Sequence, residues 1–371
     1  MKRRIATTTN HIPKTGLLGV QTPYNRTTHI ESYYDEFKNL IKSNEMEPDI
    51  EMYIRLRDIH PSYFFTRGKL DEIKEFCKKN EIEKLIISET LTSLQERNLK
   101  EYLDCEISDR TQLILEIFEK HAHSCEGKTQ VEIAMLKHQK TRLAGKGVHM
   151  SQQSGIVGKM GGAGETAKER ETREINRKIV SLKRKLEKIQ KIRETQRQNR
   201  FRSNVPQICL IGYTNAGKST ILNLLTKSAV LAENKLFATL DTTTRELYIR
   251  GKKKGILSDS VGFIQQLPHH LIEAFKSTLD ELRYADLLLH VIDVSDPNWE
   301  SHIKVVHEIL EELDIHKEIL YIFNKADKVD DIEAVKILIE KYQPNTLICA
   351  KSKSEIKELV DYLSTWKRKE D

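Results

Sequence analysis

The sequence predicts an α/β protein in which a mainly parallel sheet domain is preceded by a smaller α/β domain and a long antiparallel helical hairpin. Three features predict this. From Gln207 onward, apolar runs that read as strands buried on both faces alternate with helical stretches, the pattern of a parallel sheet covered by helices. Between Thr166 and Arg202 there is neither Pro nor Gly, and Ile175, Ile179, Leu182, Leu186 and Ile189 recur at spacings of four and three, the seam of one long helix. Upstream, short strand-like and helical segments alternate. Domain boundaries are therefore expected at 1–125, 126–202 and 203–371, which suits a chain of 371 residues at roughly 100 to 200 residues per domain.

In chain order, Glu31 to Ser43 reads as helix, Met52 to Leu56 as strand, Leu70 to Asn80 as helix and Lys84 to Ser88 as strand. A helix over Ser93 to Tyr102, a short strand at Cys105 to Ile107 and a helix over Thr111 to His121 follow. No catalytic constellation is visible there, and Arg67-Gly68-Lys69 reads as a turn before a helix rather than as an anion site. The long seam needs a partner, and Gly127 to Leu143 supplies one, with Val131, Met135 and Ala134 or His138 on one face. Between the two helices, Ala144 to Glu165 carries seven glycines and reads as a long loop at the tip of the hairpin.

Composition narrows the function classes. Hydrophobic residues make up 38% and charged residues 31%, too few of the first for a membrane protein and too many for a disordered one. Five scattered cysteines without a CxxC pair suggest neither a disulfide framework nor a zinc cluster and fit a reducing cytoplasm. The net charge of +6 is unevenly placed. Residues 203–371 are net −4, whereas Thr166 to Arg202 alone holds 14 basic residues against five Glu. A basic helix beside a Gly-rich, Lys-bearing tip points to phosphate contact, with Lys146, Lys159, Lys183, Arg184 and Lys185 as candidate RNA-binding residues.

The chemistry-bearing motifs lie after Gln207. Gly212, Tyr213, Thr214, Asn215, Ala216, Gly217, Lys218 and Ser219 form GxxxxGK[ST] between a strand (Gln207 to Ile211) and a helix (Thr220 to Lys227). Glycines let such a loop turn its N–H groups onto phosphates, Lys218 reaches the β- and γ-phosphates, and the Ser219 hydroxyl suits Mg²⁺. Asp259, Ser260, Val261 and Gly262 form DxxG after the strand-like Gly255 to Ser258, placing a carboxylate to hold Mg²⁺ through water and a Gly N–H to sense the γ-phosphate. Asn324, Lys325, Ala326 and Asp327 form NKxD after the strand-like Glu318 to Phe323. A carboxylate there accepts the two hydrogens guanine offers at N1 and N2, Asn324 can bond N7, and the Lys325 stem can lie on the ring. Adenine would leave Asp327 unpaired, a mismatch on the order of 10⁴-fold or more.

Cys349, Ala350 and Lys351, after the last strand-like run (Thr346 to Cys349), are placed to close over the guanine O6 through the Ala350 N–H. Between the first two motifs, Phe237, Ala238, Thr239, Leu240 and Asp241 begin a loop expected to order with GTP, in which Thr239, Thr242, Thr243 and Thr244 compete for Mg²⁺. Phe263 stands where some GTPases carry a water-orienting Gln, so intrinsic hydrolysis is expected to be slow, on the order of 10⁻⁴ to 10⁻² s⁻¹. The C-terminal domain is thus expected to be a P-loop GTPase domain, with Lys218, Gly262 and one of the four threonines in catalytic roles.

These residues carry a specific likeness. GYTNAGKS at Gly212 to Ser219, LFATLDTTTR at Leu236 to Arg245, DSVGFI at Asp259 to Ile264 and GGAGETAKERETREINRKI at Gly161 to Ile179 resemble the HflX family, in the Obg-HflX group of translational P-loop GTPases. SDRTQLILEIFEKHA at Ser108 to Ala122 and EGKTQVEIAML at Glu126 to Leu136 are similar too. The resemblance implies Mg²⁺-dependent GTP hydrolysis stimulated by the ribosome, with Thr239 beside Ser219 as a metal ligand. It also implies binding to the large (50S) ribosomal subunit and its rRNA, and splitting or rescue of stalled ribosomes under stress. The alternative of another class is a nucleotide-gated ribosome-binding module that serves 50S assembly or dormancy without splitting. No DNA partner, a monomer and at most peripheral membrane association complete the expectation. There are two departures: the residues after Cys349 suffice for one helix (Ser354 to Trp366), so the C-terminal domain of longer members is expected to be absent, and Thr242 replaces a common Pro. No second P-loop supports an ATPase in the N-terminal part.

Overall fold

In the computed structural model, the structure describes residues 13–25, 27, 29–145, 167–202, 205–226, 235–238, 240, 243–265, 271, 279 and 281–368. The first sheet is parallel throughout and ordered β2-β1-β3-β4, from β1 (Thr15–Gln21), β2 (Ile50–Arg55), β3 (Lys84–Ile87) and β4 (Glu106–Ser108). Helices α1 (Ile30–Ser43), α2 (Arg67–Lys79) and α3 (Ser93–Leu103) make the crossovers, and α4 (Arg110–His121) follows β4. Seven of these elements coincide with the expected ones to within three residues. Sequence reading missed β1, the central strand, because two glycines interrupt its apolar run. Gly19 sits there because an added Cβ would lie 2.5 Å from the Tyr53 ring.

Helices α5 (Cys125–Gly145) and α6 (Ala167–Arg202) form the expected hairpin. Glu126, early in α5, pairs with Arg193, late in α6, at 2.7 Å, whereas Lys137 and Thr141 share a groove with Asn176 and Lys183, so the two helices run antiparallel. At 1.5 Å per residue α6 is about 54 Å long. Its seam is as expected: Ile175 is buried, Ile179, Leu182, Leu186 and Ile189 are half-buried, and the charged residues between them face out. Helix α5 is different, because its first half is covered on several sides, with Val131, Ile133 and Ala134 all buried.

Its far end is tied down by charge. Arg142 bonds Asp109 Oδ2 at 2.6 Å and the Leu91 carbonyl at 3.1 Å, while the other oxygen of buried Asp109 caps α4 through the Gln112 N–H. The hairpin is therefore rooted in the first α/β unit. The expected loop at its tip, with Lys146 and Lys159, lies outside the described residues apart from its first two positions.

The second sheet has six strands in the order β10-β9-β8-β5-β7-β6. These are β5 (Gln207–Gly212), β6 (Thr244–Ile249), β7 (Lys252–Asp259), β8 (Leu287–Asp293), β9 (Glu318–Asn324) and β10 (Asn345–Leu347). All pairings are parallel except β6 with β7. Sequence reading missed β6, an edge strand whose alternating burial gives no continuous apolar run. Helices α7 (Lys218–Leu225), α8 (Trp299–Glu312), α9 (Ile332–Ile339) and α10 (Lys357–Thr365) are described around this sheet. The last was expected over Ser354 to Trp366; its first three residues are turn instead.

One apolar cluster runs through both α/β units: Phe37, Leu40 and Ile41 of α1 and Leu113, Ile114, Leu115, Ile117 and Phe118 of α4 pack with Tyr213, Leu236, Phe237, Phe263 and Ile264. Among the described residues no helix is long and apolar enough to cross a membrane.

Glu89, just past β3, is buried and accepts the Tyr33 hydroxyl at 2.8 Å. Burial pushes its carboxyl from 4.5 up to about 7, with the Tyr33 bond and nearby Arg110 opposing. The folded state thus holds more protons than the unfolded one between those values, and stability is lost as pH rises through that window. Glu89→Gln keeps an acceptor for Tyr33 without the buried charge. It is expected to raise the melting temperature at pH 8, by the equivalent of up to about 3 kcal/mol, and to leave it unchanged at pH 4.5. Thermal melts of both proteins at the two pH values check this.

Candidate functional site

The site lies at the C-terminal ends of β5, β7, β9 and β10, where an open parallel sheet leaves a crevice between crossovers. Strand β5 ends at Gly212, and the loop to α7 turns through Gly217 at φ +103°, where an added Cβ would stand 2.4 Å from Asn324 Nδ2. Only glycine fits both conditions. Lys218 opens α7 and is buried, its ammonium bonded to the carbonyls of Tyr213 at 2.8 Å and Gly212 at 3.2 Å. Burial lowers its pKa to about 8, with Asp259 opposing.

A cleft opens beside this lysine. Thr214, Asn215, Gly217, Ser219 and Thr220 line it from the loop, Ser260 and Gly262 from the segment after β7, and Lys235, Phe237 and Ala238 from the far side. The two motifs meet where Ser219 Oγ donates to Asp259 Oδ2 at 2.6 Å. Asp259 is fully buried, and its other oxygen accepts the Ser260 N–H at 3.0 Å. Gly262 passes so close that an added Cβ would lie 2.8 Å from Thr214 and 2.9 Å from Lys218 Nζ. Phe263 is pinned to the loop by two backbone bonds, from its N–H to the Gly212 carbonyl at 3.1 Å and from the Thr214 N–H to its carbonyl at 2.7 Å.

The other end of the site is built around Asn324. Its amide donates to the Ala216 carbonyl at 2.8 Å and accepts the Ala350 N–H at 2.9 Å, clasping the loop after β5 to the loop after β10. This uses the N–H that sequence reading reserved for a ring oxygen, and it gives Asn324 a scaffolding part that sequence reading did not foresee. Lys325 turns out of β9 at φ +63° and pairs with Asp293 at 2.6 Å. Asp327 receives the Cys349 thiol at 2.8 Å and Lys351 Nζ at 2.6 Å, and these two neighbours hold its carboxyl at about 2. It therefore stands as a full acceptor over the working pH range. Ala326 lies between them in a 3-10 turn (Ala326–Lys328).

Not every expected residue turns toward the crevice. Tyr213, Ala216, Val261 and Leu240 are buried, and Tyr213 points into the contact with α1, where its hydroxyl meets Glu36. At these positions only the backbone is available to a nucleotide. Thr239 and Asp241 lie outside the described residues, as does Thr242. Lys183, Arg184 and Lys185 are exposed on α6, away from the crevice. Lys235, Glu36, Arg110 and Gln265 were not foreseen. Lys235 sits two residues before the expected Phe237, and the other three are joined by contacts that no local pattern encodes.

Comparison with known proteins matches three families along the chain. Residues 31–119 match a family described as GTP-binding GTPase N-terminal, 121–200 the GTP-binding GTPase Middle Region, and 207–325 the 50S ribosome-binding GTPase family. GTPase HflX of Magnetococcus marinus is 42% identical over 297 residues, covering 80% of this chain and 69% of that protein. GTPase HflX of Escherichia coli K12 is 42% identical over 311 residues, covering 84% and 73%. Among solved structures, that of SsGBP in complex with GDP matches with a TM-score of 0.53 at 27% identity, over 95% of this chain and 97% of that one.

Asn324→Ala removes both halves of the clasp and leaves the Ala216 carbonyl and the Ala350 N–H without their partner. A loss of about 1–3 kcal/mol is expected, read as a lower midpoint in chemical denaturation.

Proposed function

Because this chain belongs to the HflX family of GTPases, we propose that the crevice around Lys218 binds and hydrolyses GTP and that the GTP-bound form docks on the large ribosomal subunit to split or rescue stalled ribosomes. The observation that carries the nucleotide reading is the Ser219–Asp259 bond. It brings the last residue of GxxxxGK[ST] against the first of DxxG across 40 residues of sequence. A hydroxyl and a carboxylate are hard oxygen donors that suit Mg²⁺, with Ser219 as direct ligand and Asp259 behind it. Thr239 completes this set in our reading. The ion would neutralise charge developing on the phosphates during in-line attack by water.

The chain's own groups do the rest. Lys218, desolvated and aimed along the loop, exchanges its two carbonyl partners for β- and γ-phosphate oxygens. The amides of Gly212 to Thr220 receive the phosphates, and the Gly262 N–H accompanies the γ-phosphate. Asp327, ionised, accepts both hydrogens on the guanine edge; Asn324 keeps one amide hydrogen for N7; and the Lys325 stem covers the ring. Cys349, Ala350 and Lys351 close that pocket, with the Ala350 N–H shared between Asn324 and the ring oxygen. Phe263 has its side chain in the apolar cluster and its backbone pinned, so it orients no water, which supports a slow intrinsic rate raised by the ribosome.

The ribosomal part rests on the α5–α6 hairpin, which projects Lys183, Arg184 and Lys185 from a helix rich in positive charge toward rRNA. Lys146 and Lys159 are further candidates for RNA contact in this reading. The protein would act in the cytoplasm as a monomer.

GTP turnover by the purified protein, alone and with 50S or 70S particles, tests the proposal. Stimulation of at least tenfold, abolished by Lys218→Ala, is expected, and absence of stimulation by either particle would overturn the ribosomal reading. Sucrose gradients of 70S ribosomes with the protein and a non-hydrolysable GTP analogue should then yield free subunits. Intact 70S particles carrying the protein would favour the assembly or dormancy reading. Reversing Lys183, Arg184 and Lys185 to Glu should weaken subunit binding and flatten its salt dependence.

A further inference from the structure

The two α/β units meet through a buried polar circuit as well as through their shared apolar cluster. Glu36, on α1, is nearly enclosed, and each of its carboxylate oxygens has a separate partner. Oε1 receives Arg110 Nη2, from the start of α4, and Oε2 receives the hydroxyl of Tyr213, the second residue of the phosphate loop. Arg110 is fully buried; the same Nη2 also donates to the Gln265 carbonyl at 3.1 Å, and its guanidinium carbon stands 5.3 Å from the Tyr33 ring centroid. The Tyr213 hydroxyl in turn accepts the Gln265 N–H at 2.6 Å, while its ring stacks on His302 of α8 at 3.7 Å and 7°. Desolvation, and then the Glu36 charge, push the Tyr213 hydroxyl's pKa well up, so it stays a donor.

Gln265 is the third residue after Gly262, and the segment between them is the one pinned to the phosphate loop through Phe263. Both backbone groups of Gln265 are therefore held by side chains that Glu36 orients, and its own side chain accepts the Thr27 hydroxyl at 3.1 Å. On the opposite lip of the cleft, the Leu236 N–H is bonded to Ser43 Oγ at 2.8 Å, and Phe237 packs edge-on against Phe118 at 4.7 Å. Both lips of the phosphate cleft are thus anchored in α1 and α4.

We propose that Glu36 is a positioning residue of the GTPase site: from the first α/β unit its carboxylate sets Tyr213 directly and the segment after Gly262 through Arg110, so that phosphate engagement at Gly262 and the seating of α1 on the loop are linked equilibria. This rests on the GTPase reading of the cleft. The linkage is reciprocal by thermodynamic necessity, so whatever loosens the carboxylate's hold alters nucleotide exchange or turnover, and the nucleotide alters the protection of α1. The circuit is sensitive because Nε and Nη1 of Arg110 have no hydrogen-bond partner among the described residues. One carboxylate, one carbonyl and one aromatic face hold a fully buried guanidinium.

The test uses the full chain as parent, Glu36→Gln, Tyr213→Phe and the double variant. It measures release of a fluorescent GDP by stopped flow, steady-state GTP turnover and thermal melting. Each single variant is expected to change GDP release or kcat at least threefold. The double variant should match the larger single effect, since both changes cut the same connection. Melting shifts without any kinetic change, or single effects that multiply in the double variant, would overturn the proposal. Tyr213→Phe deletes one oxygen and keeps the ring on His302, so if Glu36→Gln does not fold, unchanged kinetics in Tyr213→Phe alone overturn it. A parent chain that binds no guanine nucleotide would overturn the reading of the site itself, a result distinct from a GTP-binding parent indifferent to Glu36. Hydrogen exchange over residues 30–43 should also differ between GDP and a GTP analogue in the parent and lose that difference in Glu36→Gln.

Discussion

The two backbone hydrogen bonds that fasten Phe263 to Gly212 and Thr214 are the constraint from which the rest of the site follows. They make the chain after β7 an extra, one-residue strand beside the phosphate loop. That register brings Gly262 within a methyl group's distance of Lys218 and Thr214, so no other residue fits there. It also turns the Phe263 ring into the apolar cluster that both α/β units share, which removes the side chain from the chemistry and adds it to the interface. The position where some GTPases carry a water-orienting Gln thus serves here to hold the two units together.

Electrostatics divides the molecule in the same way. Charged groups near the cleft are partnered: buried Asp259 by the Ser219 hydroxyl, half-buried Asp293 by Lys325, and Glu36 by Arg110. At the base end Asp327 is held charged by Cys349 and Lys351, whereas at the phosphate end burial lowers the Lys218 pKa to about 8 and still leaves it a cation at neutral pH. The basic excess lies instead on α6, whose outer face carries its charges into solvent. A surface charge of that kind gains little from intramolecular pairing, and its effect on a polyanion is long-ranged and salt-dependent. The rooting of α5 through Arg142 and Asp109 makes that charged arm an extension of the first unit. Motion of the unit on the nucleotide loops would therefore be motion of the arm.

Much of this was legible in the sequence because it depends on local backbone chemistry. Glycines at 212, 217 and 262, a lysine at the start of α7 and a carboxylate at the end of β7 mark the crevice without any knowledge of the fold. The 4-3 spacing of isoleucine and leucine from Ile175 to Ile189 marks the middle of α6, because a helix repeats its surface every few residues. Elements whose character depends on neighbours were harder to see. Strand β1 is interior to its sheet and yet carries glycines at 16 and 19, the second held there by the Tyr53 ring, and β6 is an edge strand with one face in water.

The amino-acid order by itself determined the α/β class, the helical hairpin, the order of the nucleotide motifs and the family, since each is written in contiguous residues with their own conformational preferences. Only the tertiary structure decided that Asn324 clasps two loops, that Tyr213 faces the first unit instead of the nucleotide, and that Glu36 and Arg110 close on Gln265. Those contacts join residues 108, 177 and 155 positions apart. No periodicity or local propensity extends across such separations; they exist because two sheets bury one apolar cluster between them and leave the polar groups at its edge to satisfy one another.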